Sequence, residues 1–271
     1  MKKLSIVSLA LIVALFVGCT PKVEDFTFMH LSDTQVGFLD ESEDYHVCDS
    51  LLKASVDAVN RVKPAFVVIT GDLIHKPDDL LQKEIFKKRI AEIDPSVKVY
   101  CLPGNHDYIK YTEQSHDVYM EFIGYDHFSF VYNNCACIGF DTCPIKDGAL
   151  EKEQEQLSWM TSELEKAQKC AKIFLFAHCP VIREKIDEEE DYFNFSKPQR
   201  EKYMSLFKKY NVTAVFTGHT HEGFRTEYDG IKYVNAGPVC PPLGKGISGL
   251  AVVKVTNEGF DYNYSSAVDI K

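Results

Sequence analysis

One pattern constrains this chain more than any other. Five short apolar runs each break at a residue that can bind a metal. Phe26–Leu31 leads into Asp33 and Gln35, in HLSDTQVG. Ala65–Thr70 leads into Asp72, in VVITGDLIH, and Val97–Leu102 into Asn105 and His106, in YCLPGNHDY. Lys172–Ala177 leads into His178, and Thr213–Thr217 into His219 and His221, in FTGHTH. Runs of this length and composition, bounded by glycine or proline, read as buried strands. In open α/β sheets, ligand sites form outside the carboxyl ends of the strands. A single Asp or His after a strand is ordinarily a cap or a turn residue. Five such breaks, supplying two Asp, one Asn and four His, are not explained as caps. A mix of imidazole, carboxylate and amide suits borderline divalent ions such as Zn, Mn or Fe. Gly71, Gly104 and Gly218 are expected to let the chain turn sharply beside these residues.

The rest of the chain supplies an α/β scaffold. Helical patterns cover His46–Val62, Asp79–Ile93, Glu151–Gln168 and Lys197–Tyr210. Further strands are predicted at Phe128–Tyr132 and Cys137–Asp141. After Gly218 the helices stop, and short strands follow at Gly223–Tyr228, Ile231–Val234, Leu250–Val255 and Phe260–Tyr264. Residues 26–271 therefore read as a single α/β domain with a β-rich end. With 271 residues, 45% of them hydrophobic, the chain can bury a sizeable core. Trp159, the only tryptophan, is expected in it.

The N-terminus reads differently. A basic start, Met1-Lys2-Lys3, precedes the apolar stretch Leu4–Val17 and then Gly18-Cys19. This is a secretory signal, too short to favour a spanning helix. It resembles a bacterial lipoprotein signal, residues 1–19, in which Cys19 is acylated. Phe16 stands where leucine is usual, and the alternatives are an ordinary signal peptide cleaved nearby or a tail-less membrane anchor. The expectation is an exported lipoprotein, anchored in the membrane and facing the periplasm or cell surface. The net charge of −10 argues against a nucleic-acid partner. It also gives no attraction to anionic lipid, so attachment would rest on acyl chains. Eight cysteines remain and none forms a CxxC pair. Cys101, Cys137, Cys179 and Cys240 read as small buried thiols and Cys135 and Cys137 as structural, while export leaves disulfides open, with a connectivity that sequence does not give. The oligomeric state is not legible.

The blocks SDTQ, GDLIH, GNHD, AHCP and GHTH, in that order, resemble the calcineurin-like metallophosphoesterase superfamily. SDTQVGF, GDLIH and IDEEEDYFNFSKPQR are similar to the branch of calcineurin-like phosphoesterase domain-containing protein 1, described as serine/threonine phosphatases. The resemblance implies a four-layer αββα sandwich of two mixed sheets flanked by helices, around two divalent metal ions. The first ion would take Asp33, Gln35, Asp72 and His221. The second would take Asp72, Asn105, His178 and His219, with Asp72 bridging. His106 would stay off the metals and face the leaving group or a phosphoryl oxygen, so that His106 and Asp72 are the catalytic pair. The expected reaction is hydrolysis of a phosphomonoester by attack of a metal-bridging hydroxide. Purple acid phosphatases carry a tyrosine ligand three residues after the bridging Asp. Here that position is His75, which disfavours an iron–tyrosinate site and reads as a supporting residue.

Gln35 departs from the wider family, which has histidine there. Its amide oxygen is a harder, weaker donor that would favour Mn or Mg; alternatively Gln35 only hydrogen-bonds nearby. Either way the two ions could be Mn, Fe, Zn or Mg. His30, His46, His116 and His127 fall outside the motif blocks and read as surface or core residues. Tyr192 and Phe193, between the His178 and His219 blocks, are candidate walls of a substrate pocket, or seat their loop on the core. Asp187–Asp191 reads as a solvated acidic face. The leading expectation is a phosphatase for phosphoprotein or small phosphate esters. The alternatives are a phosphodiesterase for phospholipid head groups or nucleotides, and a non-catalytic ligand-binding lipoprotein.

Overall fold

The computed structural model describes residues 21–271, so the signal segment and Cys19 lie outside the described residues. In chain order the elements are β1 (Phe26–Leu31), α1 (His46–Val62), β2 (Phe66–Thr70), α2 (Leu80–Ile90), β3 (Lys98–Leu102), α3 (Asn105–Tyr108) and α4 (Glu113–Ile123). They continue with β4 (Phe128–Tyr132), β5 (Cys135–Gly139), α5 (Cys143–Lys146), α6 (Leu150–Ala167), β6 (Lys172–Phe176) and α7 (Lys197–Lys209). The chain closes with β7 (Ala214–Thr217), β8 (Phe224–Tyr228), β9 (Ile231–Asn235), β10 (Leu250–Val255) and β11 (Phe260–Ser265).

These strands form two mixed sheets. One has the order β11-β10-β1-β2-β3, the other β4-β5-β6-β7-β9-β8. β1, β2 and β3 are mutually parallel, as are β5, β6, β7 and β9; β10, β11, β4 and β8 run antiparallel to their neighbours. Side-chain alternation along each strand splits the core into three apolar layers. Phe28, Phe66, Val68, Phe174, Phe176 and Phe216 meet between the sheets. On the outer face of the first sheet, Met29, Val67 and Ile69 pack with Leu52, Val56 and Val59 of α1. On the outer face of the second, Ile138 and Leu175 pack with Met160 and Leu164 of α6 and Phe207 of α7. The result is the expected αββα sandwich, and it puts the carboxyl ends of β1, β2, β3, β6 and β7 at one end of the molecule.

Several local expectations shift. The second strand of the β4–β5 hairpin is Cys135–Gly139, two residues earlier than its apolar pattern suggested. α2 starts one residue late because the Asp79 side chain caps it, accepting from Gln82 N–H at 3.1 Å. α4 was not anticipated: only Tyr119 and Phe122 of its residues are buried, too sparse an apolar stripe to read. Trp159 is half-buried at the edge of its core layer, its ring 4.2 Å from that of His127. All eight described cysteines are free thiols, seven buried and Cys170 half-buried. Cys135 and Cys137 share the inter-sheet face, as their spacing implies.

Candidate dinuclear metal centre

The loops that follow β1, β2 and β7 deliver their donors with an unusual backbone. Asp33, Gln35, Asp72, His219 and His221 all have positive φ, at 51°, 31°, 49°, 73° and 53°. None is glycine, so each sits in the sparsely populated left-handed region that concentrates at functional sites. Backbone pairing between loops holds them there. Asp33 N–H donates to the Gly71 carbonyl at 3.1 Å and Gln35 N–H to the Asp72 carbonyl at 2.8 Å. His219 N–H donates to Asp33 Oδ2 at 3.0 Å, and His106 N–H to Asp72 Oδ1 at 2.8 Å.

The glycines do not all serve the purpose expected of them. Gly71 does turn through φ +86°, but Gly104 is extended, at φ −117°. What Gly104 provides is closeness: a Cβ there would meet Asp72 Oδ1 at 2.2 Å. At Gly218 a Cβ would meet Ser32 Oγ at 1.6 Å and Asp33 Oδ2 at 2.6 Å. The small residues let one loop's backbone lie against another loop's carboxylate.

Two buried donor triads result. Asp72, His178 and His219 form one, and Asp33, Asp72 and His221 the other; within each, the ligand atoms lie within 4.8 Å of one another. Asp72 belongs to both. Around the first triad, His178 Nδ1–H donates to the Thr70 carbonyl at 2.8 Å. That leaves Nε2 facing Asn105 Oδ1 at 3.1 Å and Asp72 Oδ1 at 3.4 Å. His219 Nε2–H donates to the Tyr192 carbonyl at 3.0 Å, which turns Nδ1 inward. In the second triad, His221 Nε2 lies 3.5 Å from Asp33 Oδ1, a fully buried oxygen with no hydrogen-bond partner. A buried carboxylate without a partner is costly unless a cation completes it.

The electrostatics point the same way. Burial pushes Asp33 up, and the charges of His221 and His178 only partly offset it. For Asp72, burial is outweighed by His178 and the other nearby histidines, so its carboxyl stays well below the usual range. Burial would lower His178, but Asp72 and Asp33 outweigh it and raise the imidazole to about 9. The carboxylates demand positive charge, and a proton on His178 is what the protein alone can supply. His219 goes the other way, to about 3, through burial and then the neighbouring His178. The donor set therefore fits two divalent cations. Asp33, Asp72 and His221 would hold one, and Asp72, His178 and His219, with Asn105 adjoining, the other.

The remaining site residues lie around this centre. Gln35 is inside it, its amide nitrogen 3.4 Å from His75 Nδ1 and its amide oxygen 3.7 Å from Cys240 Sγ. His106 is half-buried and stacks on His75, ring centroids 4.8 Å apart. Its Nδ1–H donates to the His75 carbonyl at 3.3 Å, leaving Nε2 free of that contact. Tyr192 is 57% exposed, with its ring 4.9 Å from that of His219. Its hydroxyl accepts from Asn105 Nδ2–H at 2.7 Å. Phe193 lies 5.5 Å from His219. Beside them opens a cavity of about 170 Å³ whose lining includes Asn105, Ile109, Thr142, Lys146 and Tyr192. Of the histidines set aside, His30 is fully buried between the sheets, His116 and His127 flank Asp126, and His46 is exposed beside Asp44.

Three supporting residues escaped the sequence reading. Asp107 is buried and accepts from the N–H groups of Leu73, Ile74 and Gly104, tying the Asp72 loop to the Asn105 loop. Burial, then the Asp72 charge, raises it to about 8. Its signal was present as the last letter of GNHD. Lys146 Nζ donates to the Asp191 and Asn194 carbonyls and so ties down the loop that carries Tyr192. Cys240 sits between Gln35 and His221, 3.8 Å from His221 Nδ1. Neither of these last two had a local sequence signal.

A sandwich with two donor triads sharing one carboxylate defines a class. The chain belongs to the calcineurin-like phosphoesterase family, matched over residues 26–223, and so to the metal-dependent hydrolases of phosphoric esters that use two divalent ions. Among individual proteins, it is 32% identical over 230 residues to the human serine/threonine-protein phosphatase CPPED1, covering 80% of this chain and 73% of that one. It is 29% identical over 262 residues to the Danio rerio protein of the same name, covering 89% and 84%. A dimetal phosphatase from Danio rerio superposes with a TM-score of 0.68 at 16% identity, over 89% of this chain and 96% of that one. The yellow lupin purple acid phosphatase PPD1 gives 0.71 at 16% identity, over 93% and 53%. At such low identity these two likenesses bear on the fold alone.

Proposed function

We propose that this chain is a dinuclear phosphatase that hydrolyses phosphomonoesters, with phosphoprotein or small phosphate esters as substrates. The observation that carries the proposal is Asp72, shared by both donor triads and held by the His106 backbone N–H. Two ions so bridged, when bound, supply Lewis acidity at a phosphoryl oxygen and a water-derived nucleophile near neutral pH. His106 stands beside the metal centre, where its imidazole would donate to a phosphoryl or leaving-group oxygen. The His75 carbonyl fixes the ring through Nδ1–H. Tyr192 and Phe193 wall the side nearest His219. The ~30% identity to proteins named serine/threonine phosphatases supports monoesters as the substrate class.

The test is hydrolysis of para-nitrophenyl phosphate beside its bis-ester, by acyl-free protein stripped with chelator and given back single metals. Monoester turnover restored by Mn or a similar ion is expected. His106→Ala should lower kcat by roughly 10²–10⁴-fold with little change in metal content. Asp72→Asn should lose both activity and metal. Preference for the bis-ester, or full activity in His106→Ala, would overturn the proposal.

A further inference from the structure

The start of the described chain is fixed at the end of the sandwich opposite the metal centre. Lys22, Val23 and Glu24 are held by two hairpin turns, one from each sheet. Asn134, in the β4–β5 turn, donates to the Lys22 carbonyl at 2.7 Å, and Asn133 exchanges hydrogen bonds with the Glu24 backbone. Val23 N–H donates to Asn257 Oδ1, in the β10–β11 turn, and its side chain is buried. β5 begins at that end, and β10 ends there, with Val255 opposite Phe26 in the register. From Phe26 to Asp33 the chain climbs roughly 23 Å at the usual strand rise. The metal centre therefore lies that far above the turns.

Around the turns, the edge strand β4 leaves Val131 62% and Tyr132 40% exposed. The Tyr132 ring rests on Phe26, centroids 4.9 Å apart. Exposed Lys22 and Lys169 stand nearby; Ala171, two residues beyond Lys169, bonds to Asn134. Exposed Glu24, Asp25 and Glu258 share that end, so it offers no net positive charge. The fit to the interfacial zone of a bilayer rests on the exposed aliphatic residue, the tyrosine and the snorkelling lysines. Three residue steps lead from Cys19 to pinned Lys22, a reach of at most about 11 Å.

We propose that the end of the sandwich built on the Asn133–Asn134 and Asn257 turns is the face laid against a lipid bilayer. The metal centre then opens away from the membrane, toward soluble phosphate esters. The anchor rests on acylation of Cys19, and the statement about substrates rests on the phosphatase reading. With that face on the bilayer, head groups of the same bilayer stay roughly 20 Å or more below the metals.

The test uses the lipidated full chain in phosphatidylcholine vesicles carrying nitroxide-labelled head groups. A fluorophore is placed at Val131→Cys or, in a second protein, at Leu80→Cys, both in a Cys170→Ser background. Leu80 is 71% exposed and follows β2 at the catalytic end. Quenching should be several-fold stronger at position 131 than at position 80. Equal quenching, or the reverse order, would overturn the proposal. Vesicle flotation is run beside Cys19→Ser: loss of flotation in that variant supports the anchor, and failure of the parent chain to float would sink the anchor and the proposal with it. The anchored protein should turn over para-nitrophenyl phosphate and spare phosphatidic acid in its own bilayer. Turnover of that phosphatidic acid would refute the orientation. Inactivity on both esters, with quenching as expected, would refute the phosphatase reading and leave the orientation standing.

Discussion

His30 offers a test of how the fold responds to acid, because its titration is separable from that of the metal centre. It is fully buried between the sheets, with Nε2 2.9 Å from Thr70 Oγ1 and Nδ1 3.3 Å from the Tyr262 hydroxyl. Burial lowers its pKa from 6.5 to about 3. Above pH 6.5 the imidazole is neutral in the folded and unfolded chain alike, and contributes no pH dependence. Below it, the unfolded chain takes up a proton that the folded chain refuses, so stability falls as pH falls toward about 3. The slope approaches about 1.4 kcal/mol per pH unit, or about 2.5 kcal/mol between pH 6.5 and 4.5. His30→Gln keeps donor and acceptor capacity but cannot titrate. We expect it to be about 1 kcal/mol less stable at pH 7.5, through imperfect hydrogen bonds. Its stability curve should then meet that of the parent near pH 5.5. Urea unfolding of metal-stripped protein at pH 7.5, 6.5, 5.5 and 4.5 reads this directly. A gap between parent and variant that stays constant over that range would refute the reasoning.

Two further substitutions probe the centre. Tyr192→Phe removes the acceptor of Asn105 Nδ2–H, so the amide loses the contact that keeps its oxygen toward His178. Metal half-saturation measured by calorimetry should weaken about 10-fold, the lower end for loss of a group that orients a ligand; an unchanged metal titration with an altered KM would assign Tyr192 to substrate alone. Gly218→Ala places a methyl 1.6 Å from Ser32 Oγ and 2.6 Å from Asp33 Oδ2. It should destabilise the fold by roughly 3 kcal/mol, at or beyond the upper range for overpacking, and an unchanged thermal midpoint would show that the two loops separate easily.

The ligand set was legible because the chemistry sits where strands end. A buried strand announces itself by its apolar run, and the first polar residue beyond it stands out against that background. The same contrast hid the support. Asp107 read as part of a motif, yet it serves as an acceptor for three backbone N–H groups on two loops. Lys146 and Cys240 reach the site from segments brought near only by the packing of whole layers. α4 escaped because only two of its residues meet the core. The role of Gly104 was misread because composition cannot tell a sharp turn from a close approach. His30 looked like any histidine outside a motif, though strand alternation in β1 places it, with Phe28, on the inter-sheet face.

The backbone of the centre carries a further consequence. Five donor residues hold a left-handed conformation that costs roughly 1–2 kcal/mol each in a non-glycine residue. Summed, that approaches the whole net stability of an ordinary domain, roughly 5–15 kcal/mol. Main-chain pairs between the loops help to offset it. Asp33 and Gln35 pair with Gly71 and Asp72, and Val239 and Cys240 with Ser32 and Asp33, all through main-chain atoms. Three apolar layers fix the strands that present those loops. The strain is therefore set against the burial of the whole sandwich. The carboxylates' unmet demand for charge, visible in the partnerless Asp33 Oδ1 and the raised His178, favours a cation at the centre these loops build.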